Sequence, residues 1–577
     1  MKGSAGRGMR DRVNRVFGAA SALLDRSHRP RAIEAALLLA VAGAAVGLVR
    51  LGHLAGGGLR AAVEIDLSVA ALPRYALYSL LRGVAAYALS LVFSIGYGYW
   101  AAKDRRAERV LVPLLDVLQS IPVLGFMPGL VLALVAAFPR SRVGLELAAI
   151  LMIFTGQAWN MTFSFYRAVR SVPKELAEVA AWGRFSAWRR FRALELPAAA
   201  IGLVWNSMMS MAGGWFFLMV SEAFVLGDRD FRLPGIGAYM SVAVQRGDGG
   251  AMIASVVAMA LLVVLLDQLV WRPLVAWSER FRLDEGGAAL PARSWVYDLL
   301  RRSRLAAALR RRRRPPRPPR RAPRAVAAAL PLVSPALFLL LLGVLAVGGL
   351  RLVQLLRAES ASAWIGVGRE AAITLGRVLA SVALATLWAV PAGIAIGRSP
   401  RLARVLQPAV QVVASFPAPM LFPAVVLALR AAGVGLGVAS VLLMTLATQW
   451  YVLFNVIAGA QAVPSDLEEA SRAYRLGRWQ RLRALYLPAV FPYLVTGWVT
   501  AAGGAWNASI VSEYVAIGRD TLVAPGLGAA ISRAAAEARL ADLAAAVTVM
   551  AVTVVVFNRL VWRPLGRVAE ERFSLQR

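Results

Sequence analysis

One stretch of this chain is written twice, 291 positions apart. From Trp159 onward the landmarks return in register: Val172-Pro173 as Val463-Pro464, Leu196-Pro197 as Leu487-Pro488, Trp215 as Trp506. Ser221-Glu222 comes back as Ser512-Glu513, Pro234-Gly235 as Pro525-Gly526, and Val270-Trp271-Arg272-Pro273 as Val561-Trp562-Arg563-Pro564. A chain built from one unit used twice folds into two similar bodies. If those bodies lie in a membrane, they are suited to form two walls around one pathway.

They do belong in a membrane. Of 577 residues, 59% are hydrophobic, and the apolar residues come in uninterrupted runs of roughly 16–25, the length a helix needs to cross a bilayer. The runs do not alternate, which excludes a β-barrel. The fold class is therefore an all-α polytopic membrane protein. Each half reads as six spans, near 33–49, 83–102, 123–138, 146–165, 198–222 and 251–270, then 327–349, 378–397, 419–434, 436–457, 489–513 and 543–561. Six spans return the chain to its starting side, so the halves are parallel repeats of about twelve helices in all.

The formal charge of +33 does not point to nucleic acid, because no recognition fold accompanies it. Excess arginine instead marks loops kept on the cytoplasmic side. Lys103-Asp104-Arg105-Arg106 and Arg398-Ser399-Pro400-Arg401 follow the second spans, and Arg189, Arg190, Arg192 and Arg478, Arg481, Arg483 follow the fourth. All are cytoplasmic if both termini are inside. The organisation is then a basic N-terminus (1–31), a first membrane domain (32–283), an Arg/Pro-rich linker (284–325) and a second membrane domain (326–577). The basic start leads into an apolar run without a small-residue cleavage site, which favours an uncleaved first helix. The linker composition favours an extended tether.

Several chemistries are excluded. There is no cysteine, and the only histidines, His28 and His53, are isolated, so no metal or cofactor site is expected. The three lysines are Lys2, Lys103 and Lys174, and none follows a glycine. A P-loop is therefore absent, and any ATP would be bound by other subunits.

The most informative segment lies between the fourth and fifth spans. It reads Val172-Pro173-Lys174-Glu175-Leu176-Ala177-Glu178-Val179-Ala180-Ala181-Trp182-Gly183 and closes at Leu196-Pro197. The copy runs Val463-Pro464-Ser465-Asp466-Leu467-Glu468-Glu469-Ala470-Ser471 to Arg475 and closes at Leu487-Pro488. Proline followed by acidic residues predicts a helix start with Pro at the first helical position. Leu176, Val179 and Ala180, and Leu467 with Ala470, form short apolar stripes at helical spacing. A helix of this kind outside the membrane calls for a protein groove. The closing Leu-Pro restarts the chain into the next span.

This loop resembles the EAA loop of the permease subunits of bacterial ABC importers. Other elements resemble the subgroup serving nitrate, taurine and sulfonates: Ser79-Leu-Leu-Arg82 with Thr374-Leu-Gly-Arg377, Ser120-Ile-Pro122 and Pro128 with Ser415-Phe-Pro417 and Pro423, and Ser-Glu followed by Pro-Gly-Ile-Gly237 or Pro-Gly-Leu-Gly528. The resemblance implies two tandem type I importer permease domains in the bacterial inner membrane. It implies two cytoplasmic ATPase subunits and a periplasmic substrate-binding protein as partners, and a small anion, organic acid or sulfonate as solute. It places Glu178 and Glu469 in helices that dock into the ATPases, with Pro173, Glu175, Ala180, Gly183, Pro197, Pro464, Asp466, Ala470 and Pro488 in the same loops. The chain departs from the pattern at Arg184 and Arg475, where the family has glycine, and at Val179 and Ser471, where it has alanine, so the turn is expected to differ.

Candidates for the pathway or a gate are Gln157, Asn160, Trp215, Glu222, Trp506, Asn507 and Glu513. Ala212-Gly213-Gly214 and Gly503-Gly504-Ala505 suit close helix packing. Glu222 and Glu513 end apolar runs, and interfacial placement accounts for them without a transport role. Two rival functions remain. An ion-coupled secondary transporter would require ionisable groups at mid-membrane, and a membrane enzyme would require clustered catalytic groups.

Overall fold

The computed structural model describes residues 64–281, 294–302 and 349–573, apart from positions 121, 139–140, 227–228, 351, 355, 358, 518–519 and 538. The first expected span of each half (33–49 and 327–349) and most of the linker lie outside the described residues. Within them, eight helices are long and apolar enough to cross a membrane, and two shorter apolar helices, Val123–Ala137 and Phe422–Ala431, match the short third spans.

The first half contains α1 (Leu72–Lys103), α2 (Arg105–Ser120), α3 (Met127–Ala137), α4 (Val143–Arg170), α5 (Lys174–Trp182) and α6 (Leu196–Glu222). A hairpin of β1 (Val225–Leu226) and β2 (Arg229–Asp230), then α7 (Ile236–Arg246) and α8 (Gly249–Leu266), complete it. The second half repeats the order: α9 (Ala361–Arg398), α10 (Pro400–Ala414), α11 (Phe422–Ala431), α12 (Leu436–Gln461), α13 (Ser465–Ala473), α14 (Leu487–Ser512), β3 (Tyr514–Ile517), β4 (Asp520–Val523), α15 (Leu527–Ala536) and α16 (Leu540–Phe557). Both hairpins are antiparallel, with Val225 opposite Asp230 and Tyr514 opposite Val523.

Two features were not anticipated. Helices α2 and α10 fold what looked like basic loops into amphipathic helices lying between the second and third spans. Helices α7 and α15 begin inside the Pro-Gly-x-Gly motifs, at Ile236 and Leu527, whose glycines give no local signal of a helix start.

The centre of each half is a three-helix layer: α4 packs between α1 and α6, and α12 between α9 and α14. Close approach comes from small and hydroxyl residues, as expected where lipid offers no hydrophobic drive for helix association. Ser94 on α1 donates to the Ala158 carbonyl at 3.1 Å, and the Thr162 hydroxyl donates to the Ser94 hydroxyl at 3.0 Å.

The α4–α6 seam holds two size exchanges between the halves. A Cβ at Gly214 would lie 2.2 Å from the Gln157 amide, and one at Gly156 would lie 2.3 Å from the Phe217 ring. In the second half the same places carry Thr448 with Ala505, and Ala447 with Ala508. The Gln157–Gly214 pair is thus exchanged for Thr448–Ala505 at nearly equal total volume, whereas Gly156–Phe217 gives way to the smaller pair Ala447–Ala508.

Four π-turns recur in register, at Phe191–Glu195, Asp267–Trp271, Leu482–Tyr486 and Asn558–Trp562. Each ends two residues before a proline: Pro197, Pro273, Pro488 or Pro564. Proline lacks an N–H and its ring crowds the carbonyl one turn back, and a widened turn just before it relieves both conflicts. Leu-Pro therefore does not restart the chain after a break. It continues a helix through a wide turn, so the end of the loop, from Ala187 or Arg478, and the fifth span are one helical piece.

Candidate functional site

Three places draw on the motif residues. The first is the duplicated loop. Helix α5 begins after Pro173, which occupies the N-cap (φ −53°, ψ 139°), and α13 begins after Pro464 in the same role. The prolines thus stand one position earlier than the expected first helical residue. Glu175, and Asp466 with Glu468, lie in the first turns, where carboxylates favour the positive helix end.

Only Ala180 of α5 and Ser471 of α13 are buried, and they are repeat equivalents. Glu178, Val179, Glu469 and Ala470 are exposed, so the expected stripe is split between two sides in the first copy, while Leu467 and Ala470 of the second are both exposed.

Arg184 and Arg475 are the only non-glycine residues with positive φ among the described residues, at 46° and 50°. Arg184 N–H bonds the Ala181 carbonyl and Phe185 N–H the Ala180 carbonyl; Arg475 and Leu476 do the same to Arg472 and Ser471. This is the Schellman ending, which asks for a left-handed residue after the helix and favours glycine there. In both copies arginine is held in this strained position. On either side of it the loops present bare aromatics: Trp182 is 87% exposed and Tyr474 81% before it, Trp188 64% and Trp479 72% after it.

The second place, at the opposite end of the bundle, is a carboxylate lock. Glu222 is fully buried. Its carboxylate accepts from the Ser79 hydroxyl (2.8 Å), Arg82 Nη1 (2.7 Å) and the Gly237 N–H (2.9 Å). Arg82 also donates to the Pro234 carbonyl at 2.8 Å, and the Ile236 N–H donates to Ser79 Oγ at 3.0 Å. A Cβ at Gly235 would sit 2.3 Å from the carboxylate, so glycine makes the space.

The second copy reproduces the set. Thr374, Arg377 and the Gly528 N–H donate to Glu513 at 2.9, 2.8 and 2.8 Å. The two carboxylates cap α7 and α15 and tie them to α1 and α9. Glu222 and Glu513, expected at the membrane edge, are each buried within the protein among several donors, and breaking such a pair would cost about 3–5 kcal/mol. Sequence reading named both halves of the motif without joining them, because Ser79 and Glu222 are far apart in the chain.

The halves differ in one lock partner. Arg82 Nε and Nη2 also hold Glu146 at 2.6 and 2.8 Å. Gly437 stands at that place in the second half.

The third place is a cavity of about 90 Å³ between the halves. Gly213 and Gly504, repeat equivalents, both line it, as do the equivalents Phe216 and Asn507. The halves meet here: Asn507 Oδ1 accepts from the Leu124 N–H at 3.4 Å, and Arg563 pairs with Asp116 across the interface at 2.9 Å.

Of the pathway candidates, Asn507 borders this cavity. Gln157 is fully buried against Ser90 and Met211. Trp215 and Trp506 are 2% and 3% exposed inside the packing, and Asn160 is on an exposed part of α4. Glu222 and Glu513 belong to the locks.

Two repeated helical halves meeting at a cavity, each carrying an exposed loop helix, define a membrane permease. The chain belongs to the family of binding-protein-dependent transport system inner membrane components, the ABC importer permeases, whose pattern matches twice, at residues 94–270 and 389–562.

It is 28% identical over 150 residues to a nitrate import permease protein of Synechocystis sp., covering 26% of this chain and 53% of the relative. A bicarbonate transport system permease protein of the same organism is 28% identical over 145 residues (25% and 50% covered), and a taurine transport system permease protein of Escherichia coli is 29% identical over 149 residues (26% and 52%). The chain spans about half the length of these relatives.

Proposed function

We propose that this chain forms the complete translocation pathway of an ABC importer. Two cytoplasmic ATPase subunits drive it through α5 and α13, and a periplasmic binding protein delivers the solute. The observation that carries the reading is the pair of exposed helices with one register, one Schellman ending and bare aromatics beside each. Large exposed aromatics on a short helix favour a protein partner, and Glu178 and Glu469 face outward to meet basic groups there.

The solute is a small anion, organic acid or sulfonate, in keeping with the nitrate, bicarbonate and taurine relatives. The termini are cytoplasmic and the membrane is the bacterial inner membrane, on the strength of the arginine-rich loops.

The mechanism is alternating access. ATP-driven closure of the motor draws α5 and α13 together. The displacement passes across the Schellman turns to the helices that start at Ala187 and Arg478, which run through the π-turns into α6 and α14 and line the cavity. The locks hold the far ends of the same helices, which makes each half a lever rather than a hinge. Among the described residues, no carboxylate, histidine or lysine lines the cavity.

The test is to purify the chain with candidate ATPase subunits and reverse both charges, Glu178→Arg with Glu469→Arg. Loss of co-purification and of ATP-dependent uptake is expected. Intact uptake with no ATPase bound would overturn the proposal.

A further inference from the structure

The two halves meet along two seams, and these are not alike. On one of them α16 packs against α2. A Cβ at Gly125 would lie 3.3 Å from Val547 Cγ2, so glycine is what lets the halves close up there. Arg563 pairs with Asp116 at 2.9 Å, and the Leu124 N–H donates to Asn507. Leu111, Leu114 and Leu115 of α2 are all buried.

The other seam carries different residues at the same places. Gln411 replaces Asp116, four residues before the serine of the Ser-x-Pro motif, and Met420 replaces Gly125, three residues after its proline. Arg272, the equivalent of Arg563, turns back to Asp267 of its own half at 2.9 Å. Asn558 stands at that acid's place in the second half. Leu406, the equivalent of Leu111, is exposed.

The cavity follows this division. Helices α6, α10, α12 and α14 and the turn after α10 line it, and among the described residues nothing of α1 to α4 does. Placing the ion pair on one seam takes two coordinated exchanges, Asp116 for Gln411 and Asn558 for Asp267. A close-packed seam loses its contacts outright when it parts, whereas a seam that already holds a void has fewer to lose.

We propose that the α2–α16 seam is a pivot that stays closed through the transport cycle, and that the pathway opens along the α6–α10 seam alone. Asp116, Arg563 and Gly125 are the positioning residues that hold the pivot shut. The proposal rests on the importer reading and replaces a symmetric parting of the halves with a one-sided one.

The chain has no cysteine, so an engineered pair supplies its only thiols. A Cβ at Gly125 would stand 4.0 Å from Val547 Cβ, inside the disulfide range of about 3.5–4.5 Å. The full-length chain carrying Gly125→Cys with Val547→Cys, bound to its candidate ATPase subunits, should cross-link readily. ATP hydrolysis should run at the same rate before and after oxidation. Loss of hydrolysis on oxidation, restored by dithiothreitol, would overturn the proposal.

Spin labels at matched exposed positions read the two seams directly: Arg404→Cys with Leu261→Cys on the opening side, and Arg109→Cys with Val552→Cys on the pivot. Between the nucleotide-free and the vanadate-trapped complex, the first distance should shift and the second stay fixed. Asp116→Arg should let the second distance move, and adding Arg563→Asp should still it again. The charge reversal should change the population of the parted state at most about fivefold, the worth of a half-exposed ion pair. Equal shifts at both seams would overturn the proposal and leave the importer reading standing. A complex that hydrolyses ATP while neither distance changes would overturn both.

Discussion

Arg398 lies over the ring of Tyr486, 4.0 Å from its centroid. At the corresponding place in the first half Lys103 forms an ion pair with Glu195, which Arg190 also approaches. The contact between the inner end of the second span and the π-turn is kept while its chemistry changes from ion pair to cation–π. The second copy adds a link: the Tyr486 hydroxyl donates to Glu468 of α13 at 3.1 Å. Ala177 replaces Glu468 in the first half. Helix α13 is thus fastened to the bundle by a bond that α5 lacks.

Removing that bond alone tests the inequality. Tyr486→Phe keeps the ring under Arg398 and should cost about 1 kcal/mol locally. Hydrogen exchange should quicken several-fold across Ser465–Ala473 and stay unchanged across Lys174–Trp182. Equal change in both helices would show that the loops are held alike.

The locks give a second prediction. Arg377 lacks the carboxylate that Glu146 offers Arg82, and a Cβ at Gly437 would stand 3.4 Å from Arg377 Nη2, in ordinary contact. Gly437→Glu should complete the lock and stabilise the second half by about 1 kcal/mol, a value kept low because Glu146 itself is 39% exposed. Thermal unfolding in detergent should shift upward, and Glu146→Gly should shift it downward. A fall on adding the glutamate would mean that the site cannot accept a side chain.

Arg184 and Arg475 supply the third. With φ of 46° and 50°, each is held in a region that costs an L-residue roughly 1 kcal/mol. Arg184→Gly and Arg475→Gly should each raise stability by about 0.5–1 kcal/mol, whereas alanine should not. If alanine stabilises as much as glycine, the left-handed turn is not the source of the cost.

Much of this was legible in the sequence because the repeat acts as an internal control. The span centres, the loop helices and the motif pairs around Glu222 and Glu513 all stand out by recurrence. The missed features are those that depend on three-dimensional neighbours. Lock assembly joins Arg82 to Glu222 across 140 positions, and no local pattern announces that. The role of Trp215 and Trp506 was undecidable, since a buried aromatic and a pathway aromatic look alike until their neighbours are known. Gly214 reads in sequence only as a close-packing residue, and the neighbour that requires it, the Gln157 amide, is visible only in three dimensions. The π-turns were hidden because proline signals that a helix must adjust, not how.

The central claim is that this one chain carries two ATPase handles, one in each half. Native mass spectrometry of the purified complex measures it directly. The account predicts two ATPase subunits per chain, falling to one in Glu178→Arg or Glu469→Arg alone and to none in the double variant. Two subunits retained in the double variant, or a transport-competent chain that binds none, would contradict it.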